Sequence, residues 1–265
     1  MGNFDLSIVV LVYNQPDLLE YQLWQLKNQD YITPKLIVVD DASSSVEAGI
    51  QQSTSEYYGA KYMYDPCVPK RFRKARCGLL GIEQADTEFV GIFDVHHHLD
   101  KDYLFKCSNI ISKYKNVVLT HHWWWLLEYL DEVKDNHITL GHLDGTKHEP
   151  LCNCIDWTYY CKQLDIRPTK LGMYADGNFW FRTDVARKCY DPNVYGYGNI
   201  SSDIAMSAVY YGQSNVVVGD IHAYHIRHEK TSFMTREENS LVREYMESKY
   251  KSWGTLPDDN GLILI

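Results

Sequence analysis

Two short apolar runs that end in carboxylates constrain this chain more than any other feature. Lys35-Leu36-Ile37-Val38-Val39 runs into Asp40 and Asp41, and Phe89-Val90-Gly91-Ile92-Phe93 runs into Asp94, followed by Val95 and three histidines, His96, His97 and His98. Apolar runs of this length suit strands buried on both faces of a parallel sheet, which read as continuous rather than alternating. A third such run, Leu6 to Val12, precedes a turn at Tyr13-Asn14-Gln15-Pro16 and then Leu19, Leu23 and Leu26 at helical spacing. Strand, amphipathic helix and strand in this order predict a right-handed parallel crossover, with Pro16 in the first helical turn and Asn14 as its cap. Ligands of open α/β sheets bind beyond the carboxyl ends of the strands, so the terminal acids fall where a site is expected.

The rest of the chain fits one domain. Its 265 residues are 45% hydrophobic and carry a net charge of -9, which argues against a polyanion such as nucleic acid as a general partner. No stretch is apolar enough to span a bilayer, and the first residues carry no charged leader before an apolar core. Seven cysteines without an export signal suggest reduced thiols, and the expected location is cytoplasmic, with peripheral membrane attachment left open. A Gly-x-Gly-x-x-Gly between the first two strands is absent, so a dinucleotide fingerprint is not expected. Cys152, Cys154, Cys161 and His148 lie close in sequence, but Cys-x-Cys is poor spacing for structural zinc.

Further elements follow in order. Ala60 to Tyr64 is read as a strand, and Pro69 to Arg76 is the one basic cluster, leading into a helix through Leu79, Leu80 and Ile82. In an extended Asp94-Val95-His96 the acid and the imidazole point to the same side, and an oxygen beside a neutral nitrogen suits a divalent ion such as manganese. The competing reading is a solvated corner of three histidines with no metal. Asp102 to Tyr114 is read as a helix and Asn116 to Thr120 as a strand, followed by Trp123, Trp124 and Trp125. Three consecutive tryptophans cannot all face one core, so some are expected to stack on sugar rings or to form a packed interface. The run Glu237 to Lys251 reads as a charged helix, and the tail ends in apolar Leu262-Ile263-Leu264-Ile265, expected to dock on the body or on another subunit.

Val12-Tyr13-Asn14, followed by Val38-Val39-Asp40-Asp41-Ala42-Ser43 and then Asp94-Val95-His96, resembles a family-2 glycosyltransferase of the A-type, nucleotide-diphospho-sugar transferase fold. The Asp-x-His form of the metal motif is similar to that of the polypeptide N-acetylgalactosaminyltransferases. The resemblance implies a single Rossmann-like α/β domain over 1–230, its donor half about 1–100 and its acceptor half about 101–230, with a C-terminal helix and tail over 231–265. It implies a UDP-sugar donor, a Mn2+ or Mg2+ cofactor, and a carbohydrate or glycoconjugate acceptor whose hydroxyl receives the sugar, with inversion. Carried across residue by residue, Val12 and Tyr13 line the base, and Asp40 or Asp41 bonds the uracil or ribose. Arg76, or next Arg73, neutralises the diphosphate, although Arg76 stands further from Asp94 than is usual in relatives. Asp94 and His96 hold the metal with Val95 between them on the donor side, His225 in Ala223-Tyr224-His225 is the third ligand, and His228 is its alternative. Asp176 and Gly177 approach the donor sugar, and Tyr197 joins the tryptophans on the acceptor side. Asp203 is the general base, although the acid that relatives carry beside it is Ser202 here. A non-catalytic nucleotide-sugar-binding relative, a retaining transferase and a nucleotidyltransferase are the competing readings.

Overall fold

The computed structural model describes residues 4–66, 73–114, 116–129, 148–150, 178–195, 199–227, 235–253 and 262–264. Within these, only the backbone is described at 120–129, 148–150, 199, 202, 214–220, 222, 224, 225, 227 and 262–264. In chain order the elements are strand β1 (Leu6–Val12), helix α1 (Pro16–Lys27), β2 (Lys35–Asp40), α2 (Ser45–Tyr57), β3 (Lys61–Tyr64), α3 (Lys74–Gln84), β4 (Phe89–Asp94) and β5 (His97–Leu99). Next come α4 (Tyr103–Lys113), β6 (Val117–Tyr129), β7 (His148–Pro150), β8 (Phe179–Arg182), α5 (Thr183–Cys189), α6 (Asn199–Tyr210), β9 (Ser214–Arg227), α7 (Arg236–Ser252) and β10 (Leu262–Leu264).

The sheet runs β10-β9-β6-β8-β4-β1-β2-β3. β4, β1, β2 and β3 are parallel, β8 is antiparallel between β4 and β6, and β6, β9 and β10 are again parallel. This is the mostly parallel α/β sheet expected from the sequence. β1 shows why both of its faces had to be apolar. Leu6, Ile8, Val10 and Val12 join one core with Leu19, Leu23 and Leu26 of α1 and Leu104 and Ile111 of α4. Val9 and Leu11 join a second core on the other face with Ile82 of α3, Ala186 of α5, Ile204 of α6 and Val242 and Met246 of α7.

Gly81 sets how closely α3 approaches this sheet. A Cβ there would stand 2.3 Å from Val9 Cγ1 and 3.1 Å from Val39 Cγ2, so the helix rests directly on β1 and β2. Gly81→Ala is expected to lower stability by about 2 kcal/mol through overpacking. The reading is a lower urea midpoint with an unchanged slope, and an unchanged midpoint would mean α3 can lift without cost.

Several boundaries depart from the sequence reading. α2 was not expected, although its start is marked: Ser44 accepts from Glu47 N at 3.3 Å, three residues on. Asn14 does not cap α1. It takes a left-handed φ of 50° and ties the 43–44 turn instead, donating its N–H to Ser43 Oγ and accepting from Ser44 N. The three histidines are not a solvated corner, because His97 and His98 are fully buried and lie in β5. β6 continues through the tryptophan run, and the apolar tail pairs with β9 as β10.

Candidate functional site

Three parallel strands deliver acids to one edge of the sheet. β2 ends at Asp40 and Asp41, β3 is followed by Asp65, and β4 ends at Asp94. The start of α3 answers them with three cations. Arg73 pairs with Asp41 through its guanidinium and its backbone N–H, and its Nη1 lies 3.2 Å from Asp65. Arg76 Nε lies 2.7 Å from Asp65, and Lys74 Nζ lies 2.8 Å from Asp94 Oδ2. The helix N-terminus adds its own partial positive charge to this edge.

The two adjacent acids of β2 have different surroundings. Asp40 is fully buried, and its carboxylate accepts from Ser43 N at 2.8 Å, Gln51 Nε2 at 2.6 Å and Tyr62 OH at 2.6 Å. These bonds join β2, α2 and β3, and leave Asp40 no face toward a ligand. Asp41 keeps 14% of its side chain exposed and stands at the cation cluster. Burial pushes its carboxyl above the usual carboxylate range, against the pull of Arg73. The pair left open by the sequence is therefore divided, with Asp41 at the edge and Asp40 inside. Ala42, next to Asp41, sits at a φ of 60°, a left-handed conformation held in the same turn.

Asp94 and His96 come together as expected. His96 Nε2 lies 3.7 Å from Asp94 Oδ2, a spacing at which one divalent ion could touch both donors at ordinary bond lengths of about 2.1 Å. Val95 between them is buried, as is Val12 at the end of β1, whereas Tyr13 is partly exposed. The segment is fixed by two glutamines, Gln25 in α1 and Gln29 just beyond its end. Gln25 donates to His97 O at 2.8 Å and accepts from Leu99 N at 2.7 Å, while Gln29 bonds Asp100 O and Leu104 N. Tyr21 OH meets His98 Nδ1 at 2.7 Å. Burial pushes the Tyr21 phenol well above its usual range, so Tyr21 stays protonated beside His98.

The backbone of β9 runs beside this segment. Ile226 N donates to His96 O at 2.8 Å, and His97 pairs with His225 across the strands. On its other side β9 pairs with β6, Trp123 opposite Ala223, Trp124 opposite Tyr224 and Trp125 opposite His225. The tryptophan run and the expected third ligand are thus neighbours in backbone, while their side chains lie outside the described residues. So do Asp176, Gly177, Tyr197, His228 and the Cys152–Cys161 group.

Asp203, the expected general base, lies between α6 and α7. It is 1% exposed, and its carboxylate takes Lys249 Nζ at 2.8 and 2.9 Å and Tyr250 OH at 3.0 Å, both from α7. Lys249 also reaches Asp191 at 3.0 Å, and Tyr245 OH donates to Asp191 at 2.9 Å. Asp203 therefore joins α6 to α7, and to take a proton from an acceptor hydroxyl it would have to be released by Lys249 and Tyr250. A general base must reach its proton, and this carboxylate is already held by a cation and a phenol.

Sequence reading missed Asp65 and Lys74. Asp65 had a usable signal, since an acid directly after β3 repeats the pattern of Asp41 and Asp94. Lys74 had only its place in the basic cluster, between the two arginines chosen there. A second group of possible metal donors, Asp41, Asp65 and Cys77, has ligand atoms within 4.8 Å of one another. Arg73 is paired with both acids, and burial holds the Cys77 thiol far above its usual range, so the group reads as a guanidinium clamp.

The fold that carries this edge has counterparts among solved structures. The mannosyltransferase PcManGT from Pyrobaculum calidifontis, in complex with GDP-Man and Mn2+, superposes with a TM-score of 0.64 at 14% identity, over 97% of this chain and 67% of that one. TarS of S. aureus in complex with UDP-GlcNAc gives 0.63 at 15% identity, over 93% and 66%. GalNAc-T7 with UDP, GalNAc and Mn2+ gives 0.63 at 13% identity, over 94% and 50%. This chain thus spans half to two thirds of the length of these structures, and at such identities the likeness is one of fold. No curated protein sequence matches the chain. The family model for glycosyl transferase family 2 matches residues 7–189, from β1 through β4 and on to α5. With that match covering the strands that carry Asp41, Asp65 and Asp94, the chain belongs to glycosyl transferase family 2.

Proposed function

We propose that the protein is a metal-dependent glycosyltransferase that moves a hexosyl or N-acetylhexosaminyl group from a UDP-sugar to an acceptor hydroxyl. The observation that carries this reading is the convergence of Asp94, His96, Lys74, Arg73, Arg76, Asp41 and Asp65 at one strand edge. Its charge balance argues for an added cation. Arg73, Lys74 and Arg76 are each matched to an acid, so an incoming diphosphate meets cations that are already neutralised. An added divalent cation would make that anion welcome.

Asp94 and His96 would hold the ion, with His225 as the third ligand, and it would supply Lewis-acid charge to the departing nucleotide diphosphate. Asp41 and Tyr13 would orient the nucleoside, and Arg73 and Arg76 would lie along the phosphates. Asp176, Gly177, Tyr197 and the tryptophans remain the proposed donor-sugar and acceptor contacts. Inversion is the proposed stereochemistry, and Asp203 would be the proton acceptor once acceptor binding frees it from Lys249 and Tyr250.

A thermal-shift series with nucleotide-sugars, including GDP-mannose, with and without Mn2+, tests the reading. A ligand that binds only the folded state raises the melting temperature, by an amount equivalent to about 2.7 kcal/mol at one hundred times its Kd. The expected outcome is a rise that needs both a UDP-sugar and Mn2+. No rise with any nucleotide-sugar would overturn it, and a rise with GDP-mannose alone would change the donor. The engagement of Asp203 by Lys249 and Tyr250 favours one further reading, a nucleotide-sugar-binding relative without turnover. Release of UDP from a shifted donor in the presence of acceptor sugars would exclude it.

A further inference from the structure

Lys74 is the buried group at the site that the proposed function leaves unused. It is the first residue of α3, its side chain is fully buried, and its Nζ lies 2.8 Å from Asp94 Oδ2. His96 Nε2 approaches the same oxygen at 3.7 Å. A cation is thus built into the protein on the acid that the proposed metal would need. Asp65, by contrast, is matched by Arg73 and by Arg76, which keep 10% and 43% of their side chains accessible.

Resting on the metal-dependent reading above, we propose that Lys74 makes metal binding conditional on the nucleotide diphosphate. Without ligand, the Asp94–Lys74 pair is neutral in surroundings where charges are weakly screened. A divalent ion alone would add two positive charges beside a buried ammonium. The diphosphate brings the negative charge that offsets both cations, so ion and nucleotide enter as a unit. In this arrangement Lys74 is a positioning residue: it lowers the affinity for the free ion, and the nucleotide restores it. Coupling of this kind is reciprocal, so the ion must raise nucleotide affinity by the same factor.

The test is protein-bound Mn2+ measured by equilibrium dialysis, alone and with saturating UDP or GDP, for the wild type, Lys74→Met, Lys74→Gln and Lys74→Arg. The wild type is expected to bind Mn2+ at least tenfold more tightly with nucleotide than without. Both neutral variants are expected to bind Mn2+ alone at least tenfold more tightly than the wild type, with the nucleotide effect reduced by the same factor. Lys74→Arg keeps the charge and is expected to keep the coupling. Unchanged or weaker Mn2+ binding in a folded neutral variant would overturn the role of Lys74 while leaving the metal-dependent reading intact. Should neither neutral variant fold, wild-type affinity for Mn2+ equal with and without nucleotide would overturn it instead. Failure of the wild type to bind UDP or GDP in any condition would remove the metal-dependent reading itself, and this inference with it.

Discussion

Asp94→Asn is expected to cut glycosyl transfer by about a thousandfold while leaving the protein folded. The substitution keeps the side-chain volume and an oxygen that can accept from Lys74 Nζ, but removes the negative charge that would hold the ion beside His96. Charge on a departing diphosphate contributes several kcal/mol, and about 4 kcal/mol of lost transition-state stabilisation corresponds to three orders of magnitude. Asp94→Ala should do more. It leaves the fully buried Lys74 ammonium without its carboxylate, and removing one partner of a buried pair costs about 3 kcal/mol. Both variants take away the charge that offsets the buried Lys74 ammonium, so the urea midpoint should fall in both, less in Asp94→Asn, which keeps an acceptor for Lys74 Nζ, than in Asp94→Ala. Transfer per folded molecule should fall by about a thousandfold in both. Wild-type transfer by Asp94→Asn, with or without Mn2+, would remove the acid from the reaction.

The sheet was legible because its physics is local. A strand buried on both faces must be apolar throughout, and Leu6–Val12, Lys35–Asp40 and Phe89–Asp94 have that composition where the structure has strands. The acids that close them were legible as a site for the same reason, since a carboxylate at a buried strand end needs a partner. What was not legible was which partner each would find. Asp40 and Asp41 are adjacent and chemically identical, and only the positions of Gln51, Tyr62 and Arg73, each at least eleven residues away, separate the buried acid from the edge acid. α2 was overlooked because its outward face carries Val46, Ile50 and Tyr57 in the open and gives no simple apolar stripe toward the core. Lys74 could not be told from Arg73 and Arg76 by composition. Helix geometry turns it inward onto Asp94, and that depends on how Gly81 lets α3 lie on β1 and β2.

The same limitation explains Asp203, whose type and place in the first turns of α6 fit either a catalytic base or a helix-to-helix tie. The tie predicts a loss of stability of about 2 kcal/mol in Asp203→Asn, less than the ~3 kcal/mol of a fully buried pair, because Lys249 retains Asp191 and 14% exposure. It also predicts a pH dependence with a definite sign. Burial opposes the charge on Lys249, yet Asp203 and Asp191 hold its pKa above the ordinary value. Its contribution is therefore complete below the unfolded lysine value of about 10.4 and is lost as pH rises through the folded value. Asp191, against the effect of its burial, is held below its ordinary value by the Asn193 backbone, Lys249 and Tyr245. Its contribution is present above about pH 4 and is lost as pH falls through the lowered value. Asp203 runs the other way, since burial raises its carboxyl and makes protonation on the acid side less costly to the fold. Lys249→Met should abolish the alkaline arm and cost about 3 kcal/mol near neutral pH, because Asp203 is left buried without its cation. Turnover decides between the two roles. If Asp203→Asn lowers the urea midpoint and the folded fraction keeps its kcat, Asp203 ties the C-terminal helix to the body and the acceptor proton goes to another group. A hundredfold loss of kcat with an unchanged midpoint would keep Asp203 in the chemistry and require Lys249 to release it when acceptor binds.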